Sequence, residues 1–225
     1  MHDKLSEPVR AILPSSRSIR GQLSSSKIGR APQYESALER DLLLLLDFDE
    51  HVEFFCEQPV TIEYLHEGVV RHYTPDVLAY YRDDLTVSST MRPTLYEVKY
   101  RADLRQNWAE LKPRFMAASR YADQQGWRFK LITEREIRTD YLTNVRFLRQ
   151  YVGPGVQIMQ TDQGLLMSLM QDIGLTTGEE LLLMATNDRT KRAELLYTLW
   201  RLIAVRLIYC DLTVELSLQT ELWIP

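Results

Sequence analysis

The sequence predicts an α/β protein of two domains behind a basic arm. The arm covers residues 1–30, a mixed-sheet domain covers 31–152, and a small, mostly helical domain covers 153–225. Three observations carry this. Segments 69–81 and 94–100 are rich in β-formers and are separated by a polar loop at 82–93. Strand, helix and strand patterns then follow one another from Thr94 to Ile132, the order of a parallel crossover. Beyond Val152-Gly153-Pro154-Gly155, the strongest turn signal in the chain, three helical patterns precede two short strands.

Composition sets the outer limits. Hydrophobic residues make up 45% and charged residues 26%, an ordinary balance for a globular protein with a sizeable core. The longest leucine run, Leu42 to Leu46, falls far short of the roughly 20 apolar residues that span a bilayer. Asp3, Glu7 and Pro8 stand where a signal peptide would be apolar. Cys56 and Cys210 lack metal-ligand spacing and point to a reduced, cytoplasmic protein.

In the arm, Lys4, Arg10, Arg17, Arg20, Lys27 and Arg30 face only Asp3 and Glu7, a balance of +4 in a chain of net −4, so the remainder carries −8. Serines interleave with these cations. That composition suits phosphate contacts by Arg17, Arg20, Lys27 and Arg30, and it equally suits a flexible terminus. Residues 33–48 read as a helix with Leu38, Leu42, Leu45 and Leu46 on its core face; Glu35 and Glu39 share another face. Val52 to Leu65 gives two extended pieces around Pro59, and His66-Glu67-Gly68 turns into the strand at 69–73. His51, His66 and His72 have no third ligand nearby and read as surface residues.

After Lys99 the pattern turns helical, with Asp103 as N-cap and Leu104, Trp108, Leu111, Phe115 and Ala122 on one stripe. Pro113 is expected to kink or split this helix, and Gly126 to end it. Its cations Lys112, Arg114 and Arg120 suit contacts to a nucleic-acid backbone, but read first as a solvated face. Residues 127–132 alternate as the next strand, and Thr133 with Glu136 forms a capping box for a further helix. In the last third, helices are expected around Leu165–Met170, from Thr176-Thr177-Gly178-Glu179-Glu180, and over about 189–207. A hairpin around Gln219 would follow. That order and length match a winged-helix module, its third helix basic through Arg189, Lys191, Arg192, Arg201 and Arg206.

The chemistry concentrates at Thr74-Pro75-Asp76 and Glu97-Val98-Lys99. The two-residue period of a strand puts Glu97 and Lys99 on one face, and a neighbouring strand about 4.8 Å away brings Asp76 to them. Two carboxylates and an amine suit phosphodiester hydrolysis: Asp76 and Glu97 as Mg²⁺ ligands, Lys99 to orient the attacking water. A first-helix carboxylate, Glu35 or Glu39, leaning over the Asp76 end of the sheet would complete a second metal site.

Pro75-Asp76 with Glu97-Val98-Lys99 resembles the PD-(D/E)xK motif of the restriction-endonuclease-like nucleases. The run Tyr34-Glu35-Ser36-Ala37-Leu38-Glu39-Arg40-Asp41-Leu42, then Phe48 and Glu57-Gln58-Pro59, is similar to the TnsA endonucleases over roughly residues 12–150, and the C-terminal third more loosely. The chain departs from some members at Glu97, where they carry glutamine. The resemblance implies a Mg²⁺-dependent endonuclease, with Mn²⁺ able to substitute, whose active-site glutamate falls at Glu39. It implies cleavage of the 5′, non-transferred strands of double-stranded DNA at transposon ends. It further implies a TnsB-type transposase and a TnsC-type ATPase as partners, in a transposon of the Tn-seven type. The serine- and arginine-rich start is similar to TnsA proteins of CRISPR-guided transposons. A stand-alone repair or junction-cleaving nuclease of the same fold, and a non-catalytic assembly protein binding transposase and DNA, remain as alternatives.

Overall fold

The computed structural model describes residues 7–9, 21–25, 27–82, 91–153 and 155–225. Arg17, Arg20 and most of the polar loop expected at 82–93 lie outside these residues. The chain divides into two compact units, Met1–Arg138 and Thr139–Pro225.

The first unit opens with a short antiparallel pair, β1 (Gly21–Gln22) and β2 (Gln33–Tyr34). Helix α1 runs over Ala37–Phe48. It starts later than the periodicity suggests, because Gln33 and Tyr34 are taken up by β2 and the Ser36 hydroxyl accepts the Glu39 N–H as an N-cap. Strand β3 (Val52–Glu57) is followed by a hairpin of β4 (Ile62–His66) and β5 (Val69–Tyr73). Glu67 and Gly68, at φ of 52° and 75°, form its two-residue turn with both residues left-handed, the turn whose twist matches the strands. The hairpin pairs only with itself. Val69 and Val70 are accordingly exposed despite their β-branched character.

Four strands form the main sheet in the order β3-β6-β7-β8, with β6 at Val77–Tyr81, β7 at Thr94–Val98 and β8 at Arg128–Ile132. The first two pairings are antiparallel, and β7 with β8 is parallel across the crossover helix α2 (Arg101–Gln124), so the sheet is mixed as expected. Strand β7 is central and buried along its whole length, which is why Leu95, Tyr96 and Val98 form an apolar run instead of alternating with polar residues. One face of the sheet packs Leu78, Tyr80 and Leu95 against Leu111, Phe115, Ala118 and Ala122 of α2.

Two details of α2 differ from the sequence expectation. Its N-cap is Tyr100, with Asp103 inside the first turn, where a carboxylate still favours the helix dipole. The non-helical residue is Asn107 (φ −117°, ψ 17°), and the helix continues through Pro113. Beside Asn107 the apolar stripe is interrupted, and Trp108 is 47% exposed. Gly126, at φ 75°, terminates the helix as read. The Thr133–Glu136 capping box is present but opens only α3 (Glu134–Ile137) before Arg138 breaks the helical path.

The second unit begins with α4 (Asp140–Leu148) and a 3₁₀ turn at Arg149–Tyr151. The division therefore falls ahead of the Val152–Gly155 turn where the sequence signal is strongest. Side-chain amide bonds explain this. Asn144 Nδ2 donates to the carbonyls of Leu212 (3.0 Å) and Val214 (2.6 Å), and its Oδ1 accepts the Leu216 N–H (3.2 Å), so α4 is tied to the C-terminal segment. Then come α5 (Gln160–Ile173), β9 (Leu175–Thr177), α6 (Gly178–Ala185) and α7 (Arg189–Ala204), followed by β10 (Tyr209–Cys210) and β11 (Glu221–Trp223). The strands form an antiparallel sheet in the order β10-β11-β9. The expected hairpin around Gln219 is thus replaced by β10 and β11 at either end of a long turn. Strand β9, three residues long between Gly174 and α6, has no period to announce it. Leu195, Leu199 and Leu202 of α7 are buried as read.

Candidate active site

Strands β6 and β7 run antiparallel, so the start of one lies beside the end of the other. The last paired positions are Val77 and Tyr96. One residue beyond, Asp76 enters β6 where Glu97 and Lys99 leave β7. The Asp76 N–H donates to the Tyr96 carbonyl (3.1 Å), and Asp76 Oδ2 accepts the Val98 N–H (2.7 Å). Lys99 is fixed from behind by its own N–H, which donates to Ile132 of β8 (3.1 Å).

Lys99 Nζ lies 2.9 Å from Glu97 Oε1 and 3.8 Å from Asp76 Oδ2, and it also donates to the Val98 carbonyl at 2.9 Å. Glu97 and Lys99 therefore share a face as the strand period requires, with Val98 in the core. The other Glu97 oxygen, Oε2, accepts the Tyr73 hydroxyl, a partner at the end of β5 that no motif signalled. Exposure grades across the site: 2% for the Glu97 side chain, 16% for Asp76 and 24% for Lys99. Burial sets the carboxylate deep, and only the amine and Asp76 reach toward solvent.

The electrostatics follow from that burial. Desolvation, then the Glu97 charge, raises the proton affinity of Asp76 well above the usual carboxylate range, against the pull of Lys99. Burial works against the charge of Lys99, but Asp76 and Glu97 outweigh it and hold its pKa above the ordinary value. Burial and the Glu97 charge push the Tyr73 hydroxyl strongly upward, keeping it a neutral donor. From α1, Glu39 joins the same set. Burial, then the Asp76 charge, raises it to about 7, although its Oε2 accepts the Glu35 N–H at 2.8 Å. Glu39, Asp76, Glu97 and Lys99 are thus brought together, with three acidic groups against one lysine. Among the described residues, no three His, Cys, Asp or Glu side chains close into a cage for a cation.

Two residues of the arm are placed elsewhere. Lys27 Nζ donates to the carbonyls of Leu46 (2.9 Å) and Asp49, at the end of α1. Arg30 holds Glu57 through both guanidinium nitrogens, with NH2 to Oε2 at 2.7 Å, and Glu57 Oε1 also accepts the Gln33 N–H. Both cations, expected on DNA phosphates, are consumed inside the fold because α1 ends in bare carbonyls and β3 in a buried carboxylate. His66 and His72 sit on the β4–β5 hairpin against Glu67 and Glu63.

Two family profiles match the chain, TnsA-like endonuclease N terminal over residues 49–134 and TnsA endonuclease C terminal over residues 136–212. The chain belongs to the TnsA endonuclease family. It is an endonuclease subunit of a transposase, and the boundary between the two profiles falls beside the division of the fold at Arg138. No curated relative matches the chain. The first profile covers Asp76, Glu97 and Lys99; Glu39 lies outside it and enters the site through the structure. Among the described residues, no helix of this TnsA protein is long and apolar enough to cross a membrane.

Proposed function

We propose that this TnsA protein cleaves the 5′, non-transferred strands of double-stranded DNA at transposon ends by Mg²⁺-assisted hydrolysis. The observation that carries the proposal is the placement of Lys99 Nζ against both Glu97 and Asp76 at one edge of the sheet, with the Glu39 carboxyl within the field of Asp76. The donor set is all carboxylate oxygen, and burial, then repulsion between neighbours, already raises the proton affinity of two of its members. A hard divalent cation relieves the same repulsion, and Mg²⁺ needs only one or two carboxylates because it keeps several waters. The residues therefore fit Mg²⁺, with Mn²⁺ able to replace it. Asp76 and Glu97 would hold the ion, and Glu39 would complete its surroundings. When bound, it polarises the phosphoryl group and makes water a better nucleophile.

The rest of the chemistry belongs to the chain. Lys99, kept protonated by its carboxylate neighbours, orients the attacking water and offsets charge developing on the phosphoryl oxygens. Tyr73 holds Glu97 from behind and fixes its rotamer. The backbone amide of Val98 holds Asp76. After α4 the second unit runs helix, strand, two helices, two strands, an order that suits a winged-helix module. We assign it to docking a TnsB-type transposase, which would cut and join the 3′ strands, and a TnsC-type ATPase that would regulate both, in a DNA-associated bacterial cytoplasmic assembly. The test is cleavage of transposon-end DNA with Mg²⁺, alone and with both partners, by wild type and Asp76→Ala. Loss of 5′-strand cleavage in a folded Asp76→Ala protein supports the assignment, and undiminished cleavage refutes it. Cleavage without partners would favour a stand-alone nuclease.

A further inference from the structure

Arg114 stands apart from the other cations of the first unit. It lies on α2, and its guanidinium carbon is 5.4 Å from the centre of the Tyr73 ring and 5.5 Å from that of Phe115. Tyr73 is the residue whose hydroxyl donates to Glu97. The guanidinium is thus one aromatic ring away from the Glu97 carboxylate, and its field reaches both Lys99 and the Tyr73 hydroxyl. With the Glu97 carboxylate on the far side of the Tyr73 ring, Arg114 makes no ion pair among the described residues. Lys99, Arg30 and Arg138 each hold a carboxylate.

Its Nε is buried and has no hydrogen-bond partner among the described residues. Three other arginines also carry a buried nitrogen without a partner, Nε in Arg192 and Arg206 and a terminal nitrogen in Arg149, but Arg192 donates to the Thr186 carbonyl, Arg206 to the Tyr141 hydroxyl, and Arg149 is otherwise engaged. The guanidinium lies over the edge of two neighbouring rings, and its Nε has lost water without gaining an acceptor. Its planar fork matches the paired oxygens of a phosphate, and stacking on rings fixes the direction in which the fork points. An endonuclease must seat a DNA backbone beside its carboxylates, and a lone lysine already committed to Glu97 is a poor holder for it.

We propose that Arg114 is a DNA-contacting residue of the active site, its guanidinium taking the non-bridging oxygens of a backbone phosphate next to Asp76, Glu97 and Lys99. The proposal rests on the endonuclease reading of that site. Its test uses the full chain with a short fluorescent duplex over a range of salt, and plasmid or transposon-end cleavage in Mn²⁺ or Mg²⁺. Arg114→Met keeps an apolar stem against the rings, Arg114→Gln is a second neutral variant, and Arg114→Lys keeps the charge without the fork. The neutral variants should flatten the log–log salt dependence of binding by roughly 0.9. They should also lower cleavage at saturating DNA by about a hundredfold, as the loss of one oriented donor does, while keeping the wild-type melting midpoint. Arg114→Lys should restore the salt slope but not the cleavage rate. Neutral variants that melt early yet keep the wild-type slope and the wild-type rate per folded molecule overturn the proposal. If Asp76→Ala cleaves as wild type does, the endonuclease reading itself fails, whereas an unchanged slope in the neutral variants beside an inactive Asp76→Ala protein rejects Arg114 alone.

Discussion

Replacing Glu39 by glutamine should stabilise the metal-free protein, and only above the pH at which Glu39 ionises. The side chain is held in α1 with its oxygen accepting the Glu35 N–H, an acceptor that glutamine retains. Burial and the Asp76 charge move its pKa from 4.5 to about 7. At 1.36 kcal/mol per unit, this corresponds to ~3 kcal/mol of unfavourable ionisation as an upper limit. Loss of a first-turn negative charge near the helix N-terminus takes back about 0.5 kcal/mol. The net expectation is about 1–2.5 kcal/mol once partial solvent access is allowed for. The sign follows from proton binding. Between 4.5 and about 7 the folded chain holds a proton that the unfolded chain has released, so wild-type stability falls as pH rises through that window. The advantage of Glu39→Gln should therefore be absent at acidic pH, grow through the window and level off above it. Urea unfolding in chelator at a series of pH values measures this directly. Adding Mg²⁺ should close the gap, because wild type gains more from a cation that Glu39 helps to hold. A variant that is less stable than wild type at alkaline pH, or equally more stable at every pH, refutes the electrostatic account of Glu39.

Other outcomes follow from the same contacts. Lys99→Ala should keep the carboxylates yet lose the group that orients water. In a full transposition assay it should leave 3′ joining intact and convert simple insertions into donor–target cointegrates, read by sequencing both junctions; simple insertions at the wild-type ratio would contradict the strand assignment. Arg30→Ala strands a Glu57 side chain that is 4% exposed and should cost ~3 kcal/mol in chemical denaturation, while leaving the salt slope of DNA binding unchanged. Asn144→Ala removes three hydrogen bonds and should lower the stability of the second unit by about 2–3 kcal/mol; Asn144→Asp, which cannot donate to the Leu212 and Val214 carbonyls, should cost at least as much.

The fold was legible where one side chain alternation or one helical period met one environment. Residues 77–81 and 94–98 read as strands because their β-formers pack on both faces of the sheet, and the proximity of Asp76, Glu97 and Lys99 was legible because strand geometry brings them together. Reading failed where long-range partners decide. Nothing local in Arg30 distinguishes a phosphate-binding cation from one that neutralises Glu57 from 27 residues away. Nothing in a capping box says that α3 will stop after one turn, or that Asn144 will pull the next helix into the other unit. Tyr73 shows the limit most clearly. In the sequence it is the last residue of an ordinary alternating strand, whereas in the fold its hydroxyl supports the buried Glu97 and its ring carries Arg114.

The same comparison separates two kinds of charge in this protein. Lys27, Arg30 and Arg138 are satisfied by carbonyls and carboxylates, so their removal should be felt in stability. Glu39, Asp76 and Arg114 are instead held at a cost: two carboxyl groups with raised proton affinity, and a guanidinium with an unpartnered nitrogen. A folded chain retains such groups only when the surrounding structure over-determines them, and a cation for the carboxylates with a phosphate for the arginine would satisfy both at once. Stability and cleavage should therefore respond oppositely at the two carboxyl positions. Neutralising Glu39 should strengthen the metal-free fold as it weakens the nuclease, and a substitution that weakened both would make its charge part of the scaffold, like those of Lys27, Arg30 and Arg138.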